Sequence, residues 1–305
     1  MTVTNIRPEL SQNPFAPGNQ EIYLRWQEQK LADYPESADQ LIVEVKDPRA
    51  LSRAEKQKIT ELCQKTNMVI YQSKVNDGGK DVPRLLGRQM GLINLDPNML
   101  ADEDGITSLE LMPAKHERGY IPYTDRRLLW HTDGYYNDAS HRIAAMLLHC
   151  VRPALSGGEN SLLDHEMAYL LLHEQDPAHI KALMDPDAMT IPANLEASEV
   201  ERPARTGPVF SANEQGLLSM RYTARIRSIT WKDNTATKTA VQALVNILDS
   251  DCKYIFHHRL EAGQGIICNN VLHNRTSFKN GESSATQRLI YRARYYDRIN
   301  KVADH

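Results

Sequence analysis

His131 and Asp133, in the run Trp130-His131-Thr132-Asp133-Gly134, are the residues of this chain whose types and spacing best suit metal chemistry. On a helix, side chains at i and i+2 point away from each other and cannot chelate one ion. On a strand they share a face, with Cα atoms about 6.7 Å apart, so two leaning side chains can meet at bonds of about 2.0–2.2 Å. A His-x-Asp pair joined by one remote histidine makes the 2-His-1-carboxylate facial triad of non-haem Fe(II) oxygenases, which leaves positions open for cosubstrate and O2. The pair alone is a weak signal in a chain with 11 histidines. A strand-end histidine hydrogen-bonded to a turn aspartate has the same spacing.

The remote histidine is expected at His273, in Cys268-Asn-Asn-Val-Leu-His-Asn-Arg-Thr-Ser-Phe278, behind an apolar strand opened by Gly263 and Gly265. His149, His173, His179, His257 and His258 are read as ordinary core or surface residues, and His116 and His165 have no partner at metal-like spacing. A third feature is Gln287-Arg-Leu-Ile-Tyr-Arg-Ala-Arg294. On a strand, Arg288, Ile290, Arg292 and Arg294 share one face. Guanidiniums turned into a barrel are costly unless anions meet them, and a dicarboxylate would do so by bidentate pairing. A solvated basic edge strand fits the same residues.

These residues need strands to carry them. Leu128–His131, Ile143–Val151, Ser161–Leu163, Leu217–Tyr222, Tyr254–Leu260, Gly265–Cys268 and Arg288–Tyr295 read as strands. Two helices are expected among them. One is capped by Asp164 and runs to about Glu174. The other spans Thr235–Leu248 with Val241, Leu244, Val245 and Leu248 inward. Upstream, the capping box Ser52-Arg-Ala-Glu55 opens a helix that leads into the β-prone run Met68–Tyr71. Asn76-Asp-Gly-Gly79 is a turn signal. Residues 96–128 give mixed signals over a long stretch, which in a compact domain is often functional. Residues 193–208 read as a polar, proline-punctuated loop, a candidate lid. Pro8, Pro14, Pro17 and Gly18 make residues 1–20 an extended arm ahead of a single domain over 21–305.

Composition removes several function classes. The net charge of −3 and a pI near 6.4 carry no basic excess for a nucleic-acid partner. The longest apolar runs, such as Ile143–Leu148, are far too short to span a bilayer, so no membrane partner is expected. Cys63, Cys150, Cys252 and Cys268 form no CxxC pair and are too sparse for a disulfide scaffold. With an N-terminus that lacks the pattern of a signal peptide, they point to a reducing, cytoplasmic setting. Homo-oligomerisation stays open.

Taken in order, these motifs resemble the taurine dioxygenase-type (TauD/TfdA) family of Fe(II)/2-oxoglutarate oxygenases over roughly residues 40–298. The family pattern is HxD, a Gly-Gly-x-Thr segment, a distal histidine and an arginine strand. Here these correspond to His131/Asp133, Gly157-Gly-Glu-Asn160, Val271–Phe278 and Arg288–Arg292. The resemblance implies a mainly β fold with flanking helices, around a double-stranded β-helix, or jelly-roll, core. It implies Fe(2+) held by His131, Asp133 and His273, with 2-oxoglutarate as cosubstrate and O2 as oxidant. Arg288 stands where the family binds the distal carboxylate of 2-oxoglutarate. Arg292 resembles a second arginine near the iron-side carboxylate or the substrate, and Asn160 replaces the usual threonine. The expected activity is dioxygenase hydroxylation of a small polar metabolite, with 2-oxoglutarate decarboxylated to succinate. A zinc hydrolase using the same three ligands, or a non-catalytic binding protein on the same scaffold, remains the alternative; the arginine strand favours the oxygenase. Tyr120, Tyr123, Trp130, Tyr135 and Tyr136 crowd the HxD motif and could cage a cationic substrate, although core and supporting positions explain several of them. Arg84, Arg88 and Arg294 could instead hold an anionic group.

Overall fold

Alternation in a few apolar runs sets the architecture. In a computed structural model describing residues 13–16, 18–75, 78–97, 105–112, 121–193 and 202–299, Met68–Gln72, Ala145–Arg152 and Gln264–Cys268 lie side by side in a six-stranded sheet. Met68, Ile70, Met146, Leu148, Ile266 and Cys268 face one core, while Val69, Tyr71, Leu147 and Ile267 face a second. Burial on both faces explains why these strands read as continuous apolar runs rather than alternating ones. Truncating one of these side chains, such as Ile267→Ala, would leave a cavity costing about 2–5 kcal/mol.

The order of this major sheet is Ile42–Glu44, Met68–Gln72, Gln264–Cys268, Ala145–Arg152, Leu289–Tyr295, Thr107–Leu109. Its outer face is covered by helix Arg53–Thr66, which contributes Ile59 and Cys63. That helix starts at the expected capping box: Ser52 accepts from the Glu55 amide while Glu55 accepts from the Ser52 amide. A minor antiparallel sheet, Phe256–His258, Asn160–Leu163, Leu272–Arg275, Leu128–His131, faces the major one. Together they form the jelly roll. Helices His165–Gln175, Pro177–Leu183 and Thr235–Leu248 pack outside the minor sheet's end of the core. The last of these buries Ala243, Leu244, Ile247 and Leu248, a face rotated slightly from the expected one, with Val241 and Val245 only half-buried.

Several boundaries differ from expectation. Arg288 lies just before the strand Leu289–Tyr295, and the register against Ala145–Arg152 shifts between Leu289 and Ile290. The strand of the HxD motif ends at His131, so Asp133 sits in the following turn. Arg205–Gly207, inside the expected loop 193–208, pairs with Met189–Ile191, while residues 194–201 lie outside the described set. Within 96–128, Thr107–Leu109 is an edge strand of the major sheet; residues 98–104 and 113–120, Tyr120 among them, lie outside the described residues, as do Asn76 and Asp77 of the expected turn. Most of the expected arm, residues 1–12 and 17, is likewise outside them, but Phe15 is buried edge-on against Trp26 and Tyr169. Among the described residues no helix is long and apolar enough to cross a membrane, and the four cysteines are free thiols.

Candidate metal centre and the pockets beside it

The minor sheet brings the two distant histidines together: His273 is the register partner of His131 across the Leu272–Arg275 and Leu128–His131 strands. Their rings lie 4.2 Å apart between centroids. His131 Nδ1 is 2.8 Å from the Leu129 carbonyl and His273 Nδ1 is 2.9 Å from the Val271 carbonyl. A carbonyl only accepts, so each Nδ1 carries the proton and each Nε2 keeps its lone pair. The ligating atoms of His131, Asp133 and His273 all fall within 4.8 Å of one another, and they form the single such group of three among the described residues.

Asp133 is delivered by a braced turn rather than by strand pleating. The Asn270 side chain accepts from the Asp133 amide at 2.8 Å and donates to the Asp133 carbonyl at 3.0 Å and the Ile143 carbonyl at 2.8 Å. Thr132 exchanges hydrogen bonds with Tyr222, its amide donating to the Tyr222 carbonyl and its hydroxyl accepting from the Tyr222 amide. The chain then turns through Gly134 at φ +64°, where a Cβ would stand 2.4 Å from Ile143 Cγ1, so only glycine fits.

Electrostatics fit the same purpose. Burial, then the neighbouring His273, pushes the His131 imidazole down to about 3, and burial also lowers His273. Both rings are therefore neutral donors at ordinary pH. Burial raises the Asp133 carboxyl, but the Arg292 and Arg294 guanidiniums outweigh it and hold the group well below the usual carboxylate range. Arg292 Nη1 donates to Asp133 Oδ1 at 3.2 Å, whereas the buried Asp133 Oδ2 has no partner. Two neutral Nε2 atoms and one unpartnered carboxylate oxygen, all converging, are a donor set that suits a divalent first-row metal such as Fe(II). Each ring's backbone hydrogen bond also supplies the orientation that ligating histidines require.

Two spaces bear on the expected site. A small cavity, lined by Arg288, Asn160, Gly158, Ile290 and Arg259, contains none of the candidate metal ligands. Arg288 is buried and stacks over Phe278 at 5.1 Å, and burial pushes it down to about 10. Among the described residues no carboxylate meets it. Arg288 and Asn160, both expected on the cosubstrate side, line this same cavity. Arg292 and Arg294, by contrast, already have anionic partners, Asp133 and Asp96 respectively. Arg294 also donates to the Tyr136 hydroxyl at 3.0 Å, so it is not free to hold a substrate anion. Arg88 is exposed on the helix Val82–Gln89, and neither it nor Arg84 lines either space.

A separate cleft with a volume of about 270 Å³ opens from Asp133 and runs along Tyr135, Arg142, Arg205 and Arg221. Of the aromatic group, Trp130 and Tyr123 are core residues, and Tyr135 lines this cleft. Asn270, Arg142, Arg205 and Arg221 were not singled out by the sequence. Asn270 had one usable signal, an Asn-Asn pair three residues before the distal histidine; it adopts φ +51°, a conformation asparagine tolerates. His149, His257 and His258 form ordinary hydrogen bonds to Tyr71, Ser161 and Gln264.

The family described as "Taurine catabolism dioxygenase TauD, TfdA family" matches residues 30–294. A uridine-5'-phosphate dioxygenase from Amycolatopsis sp is 29% identical over 172 residues, which span 55% of this chain and 60% of that protein. Among solved structures, an asparagine oxygenase in complex with Fe(II), 2S,3S-3-hydroxyasparagine and succinate superposes with a TM-score of 0.60 at 15% identity, covering 81% of each chain. The non-haem iron oxygenase OrfP, in complex with Fe and alpha-ketoglutaric acid, superposes with a TM-score of 0.59 at 17% identity over 80% of each chain. These structures share the jelly-roll fold.

Proposed function

We propose, for a chain that belongs to the taurine catabolism dioxygenase TauD, TfdA family, an Fe(II)- and 2-oxoglutarate-dependent dioxygenase that hydroxylates a small polar metabolite. One observation carries this reading: two neutral imidazoles, oriented by their own strands' carbonyls, converge with a buried carboxylate oxygen that lacks a partner. When bound, Fe(II) with 2-oxoglutarate and O2 supplies oxidative cleavage of a substrate C–H bond, coupled to conversion of 2-oxoglutarate to succinate and CO2.

The chain's residues divide the work. His131 and His273 would hold the ion through Nε2 and Asp133 through Oδ2. Asn270 and Tyr222 fix the turn that presents Asp133, so little reorganisation accompanies binding. Arg292 keeps that carboxylate ionised and occupies its second oxygen, which favours one-oxygen coordination. Arg288, with Asn160, would bind the distal carboxylate of 2-oxoglutarate; the Phe278 ring holds the guanidinium plane in place. Residues 21–305 would act together as one catalytic unit. The substrate would enter by the cleft at Asp133. Since the Amycolatopsis relative is named for a nucleotide and the two structural neighbours for amino acid chemistry or iron, nucleotides and amino acids head the substrates to screen.

The test is direct. Metal-stripped protein given Fe(II), ascorbate and O2 should convert 2-oxoglutarate to succinate, slowly even without substrate, and should bind the inert analogue N-oxalylglycine. Failure of the iron form to bind 2-oxoglutarate, with a hydrolytic activity supported by zinc alone, would replace this reading with a metal hydrolase.

A further inference from the structure

The cleft beside Asp133 has a wall whose charge is not balanced. Arg142, Arg205 and Arg221 line it, drawn from three separate segments of the chain. Asp133 and Asp138 are the carboxylates on the same surface. Asp133 is already paired with Arg292. Asp138 reaches Arg205 at 3.4 Å and also accepts from Ser140 and His141. That leaves Arg142 and Arg221 without a carboxylate among the described residues.

Their neutral contacts do not supply one. Arg142 donates to the Ser211 hydroxyl at 2.7 Å. Arg221 donates to the carbonyls of Met189 and Gly207 at 2.8 and 3.1 Å and to that of Arg205 at 3.4 Å, and its buried Nε has no partner; nor does the buried Nε of Arg205. Burial lowers Arg142, while burial and then repulsion from Arg142 bring Arg221 down to about 10. Two half-buried cations that repel each other, with N–H groups unused, are stabilised by an anion placed between them. One negative charge would match only one of the pair. A phosphate monoester carries about −1.5 to −2 at pH 7 and offers three acceptor oxygens, which suits two guanidiniums with a third beside them.

We propose that Arg142, Arg205 and Arg221 form the subsite for a dianionic phosphate monoester on the substrate, whose carbon skeleton would extend along the cleft toward Asp133. This rests on the dioxygenase reading above for the word substrate, but the anion site itself rests only on the charge and geometry of the cleft. The cleft's volume of about 270 Å³ lies just under the range of about 300–1,000 Å³ typical of small-molecule sites, so it suits a compact phosphorylated metabolite such as a sugar phosphate.

The experiment is calorimetric titration of the full chain, anaerobic and loaded with Fe(II) and 2-oxoglutarate, with inorganic phosphate, ribose 5-phosphate, ribose and taurine. Ribose 5-phosphate should bind at least about tenfold more tightly than ribose or taurine, a zwitterion whose sulfonate carries a single negative charge. Arg142→Gln should weaken it roughly 10- to 150-fold, the loss of one charged hydrogen-bonding group, and should leave the absorption band of the Fe(II)–2-oxoglutarate complex unchanged. Arg205→Gln, at a half-buried strand position whose guanidinium also reaches Asp138, gives a second variant should Arg142→Gln lose its fold; it should weaken ribose 5-phosphate in the same direction. Wild-type affinity in the folded variants, no binding of either phosphate by the unmodified chain, or taurine binding as tightly as ribose 5-phosphate would each overturn the proposal. Phosphate binding that responds to these substitutions in a chain showing no 2-oxoglutarate band would instead keep the anion site and remove the oxygenase reading.

Discussion

Two of the ionisable clusters that the described residues bury differ in how completely their polar atoms are matched. One joins Lys30, Asp164 and Glu166 where the helix Gln20–Leu31 meets the Asp164-capped helix His165–Gln175. Lys30 Nζ lies 2.6 Å from both carboxylates and also donates to the Lys65 carbonyl. Asp164 further accepts from Asn67 and Tyr34 and caps its helix through the Glu166 amide. The other cluster is His131, Asp133 and His273, where Asp133 Oδ2 has no partner and both Nε2 atoms face inward. Both are equally hidden from water. Burial therefore does not separate structure from function here; an unmatched set of donor atoms does, because desolvated lone pairs without partners are costly unless a ligand meets them.

The sharpest way to break this contrast is to exchange the expected consequences. His131→Ala or His273→Ala should abolish Fe(II) binding and turnover while the far-ultraviolet circular dichroism spectrum keeps its native shape. Normal iron binding in both variants would remove the metal centre. Lys30→Met should do the opposite. It strands two buried carboxylates and should cost about 3–5 kcal/mol in denaturant unfolding, with Fe(II) affinity of the folded protein unchanged. A Lys30→Met protein as stable as the parent would show that the matched cluster is not a structural one.

Acid sharpens the same contrast. Burial raises the Glu166 carboxyl but Lys30 outweighs it, so its folded value lies below the ordinary 4.5. A carboxyl lowered on folding contributes stability above its unfolded value and loses it as pH falls through the folded one. His165, pushed from 6.5 down to about 4 by burial and then by Arg298, acts with the same sign: the unfolded chain takes up its proton first. Unfolding free energy of the metal-free protein should thus decline from about pH 6.5 downward, first through His165 together with the likewise lowered His131 and His273, and then below 4.5 through Glu166. Equilibrium unfolding at a series of pH values checks this. His165→Gln should flatten the upper part of the decline, and stability that rises on acidification across that window would contradict the assignment.

The sequence reveals the metal centre and the cosubstrate side far better than the substrate side, for a physical reason. His131 ends the four-residue strand Leu128–His131, His273 lies within Leu272–Arg275 and Arg288 just precedes Leu289–Tyr295, so spacing along the chain converts into position in the sheets. Even there, pleating alone did not explain Asp133. It stands past the strand end and depends on Asn270, a contact between residues 137 positions apart that no local pattern encodes. The arginine strand was legible in parity but not in pairing: Arg292 and Arg294 share the inward face with Ile290, yet their partners Asp133 and Asp96 come from distant turns. The substrate cleft was not legible, since Arg142, Arg205 and Arg221 come from a turn, a three-residue strand inside an apparent loop, and the residue after another short strand. Only the tertiary fold brings them to one wall.

The finest test of the contrast concerns Arg288, a buried cation unmatched in the way that Asp133 Oδ2 is unmatched. Its guanidinium lies in a small cavity with Asn160, over the Phe278 ring, with no carboxylate among the described residues. If it receives the distal carboxylate of 2-oxoglutarate, Arg288→Ala removes a charged hydrogen-bonding pair contributing on the order of 1.5–3 kcal/mol, and affinity should fall roughly 10- to 150-fold. Arg292 already engages Asp133 at 3.2 Å, so it is not available to substitute. Arg288→Lys keeps the charge but loses the planar fork and its stacking on Phe278, so its affinity should fall between those of the parent and the alanine variant. Because removing an unpaired buried cation relieves desolvation, Arg288→Ala should leave unfolding stability within about 1 kcal/mol of the parent, unlike Lys30→Met. Titration of 2-oxoglutarate into the anaerobic Fe(II) protein, followed by its metal-to-ligand absorption band, reads both variants. Unchanged affinity in Arg288→Ala, or a stability loss as large as that of Lys30→Met, would class Arg288 with the matched, structural cations instead.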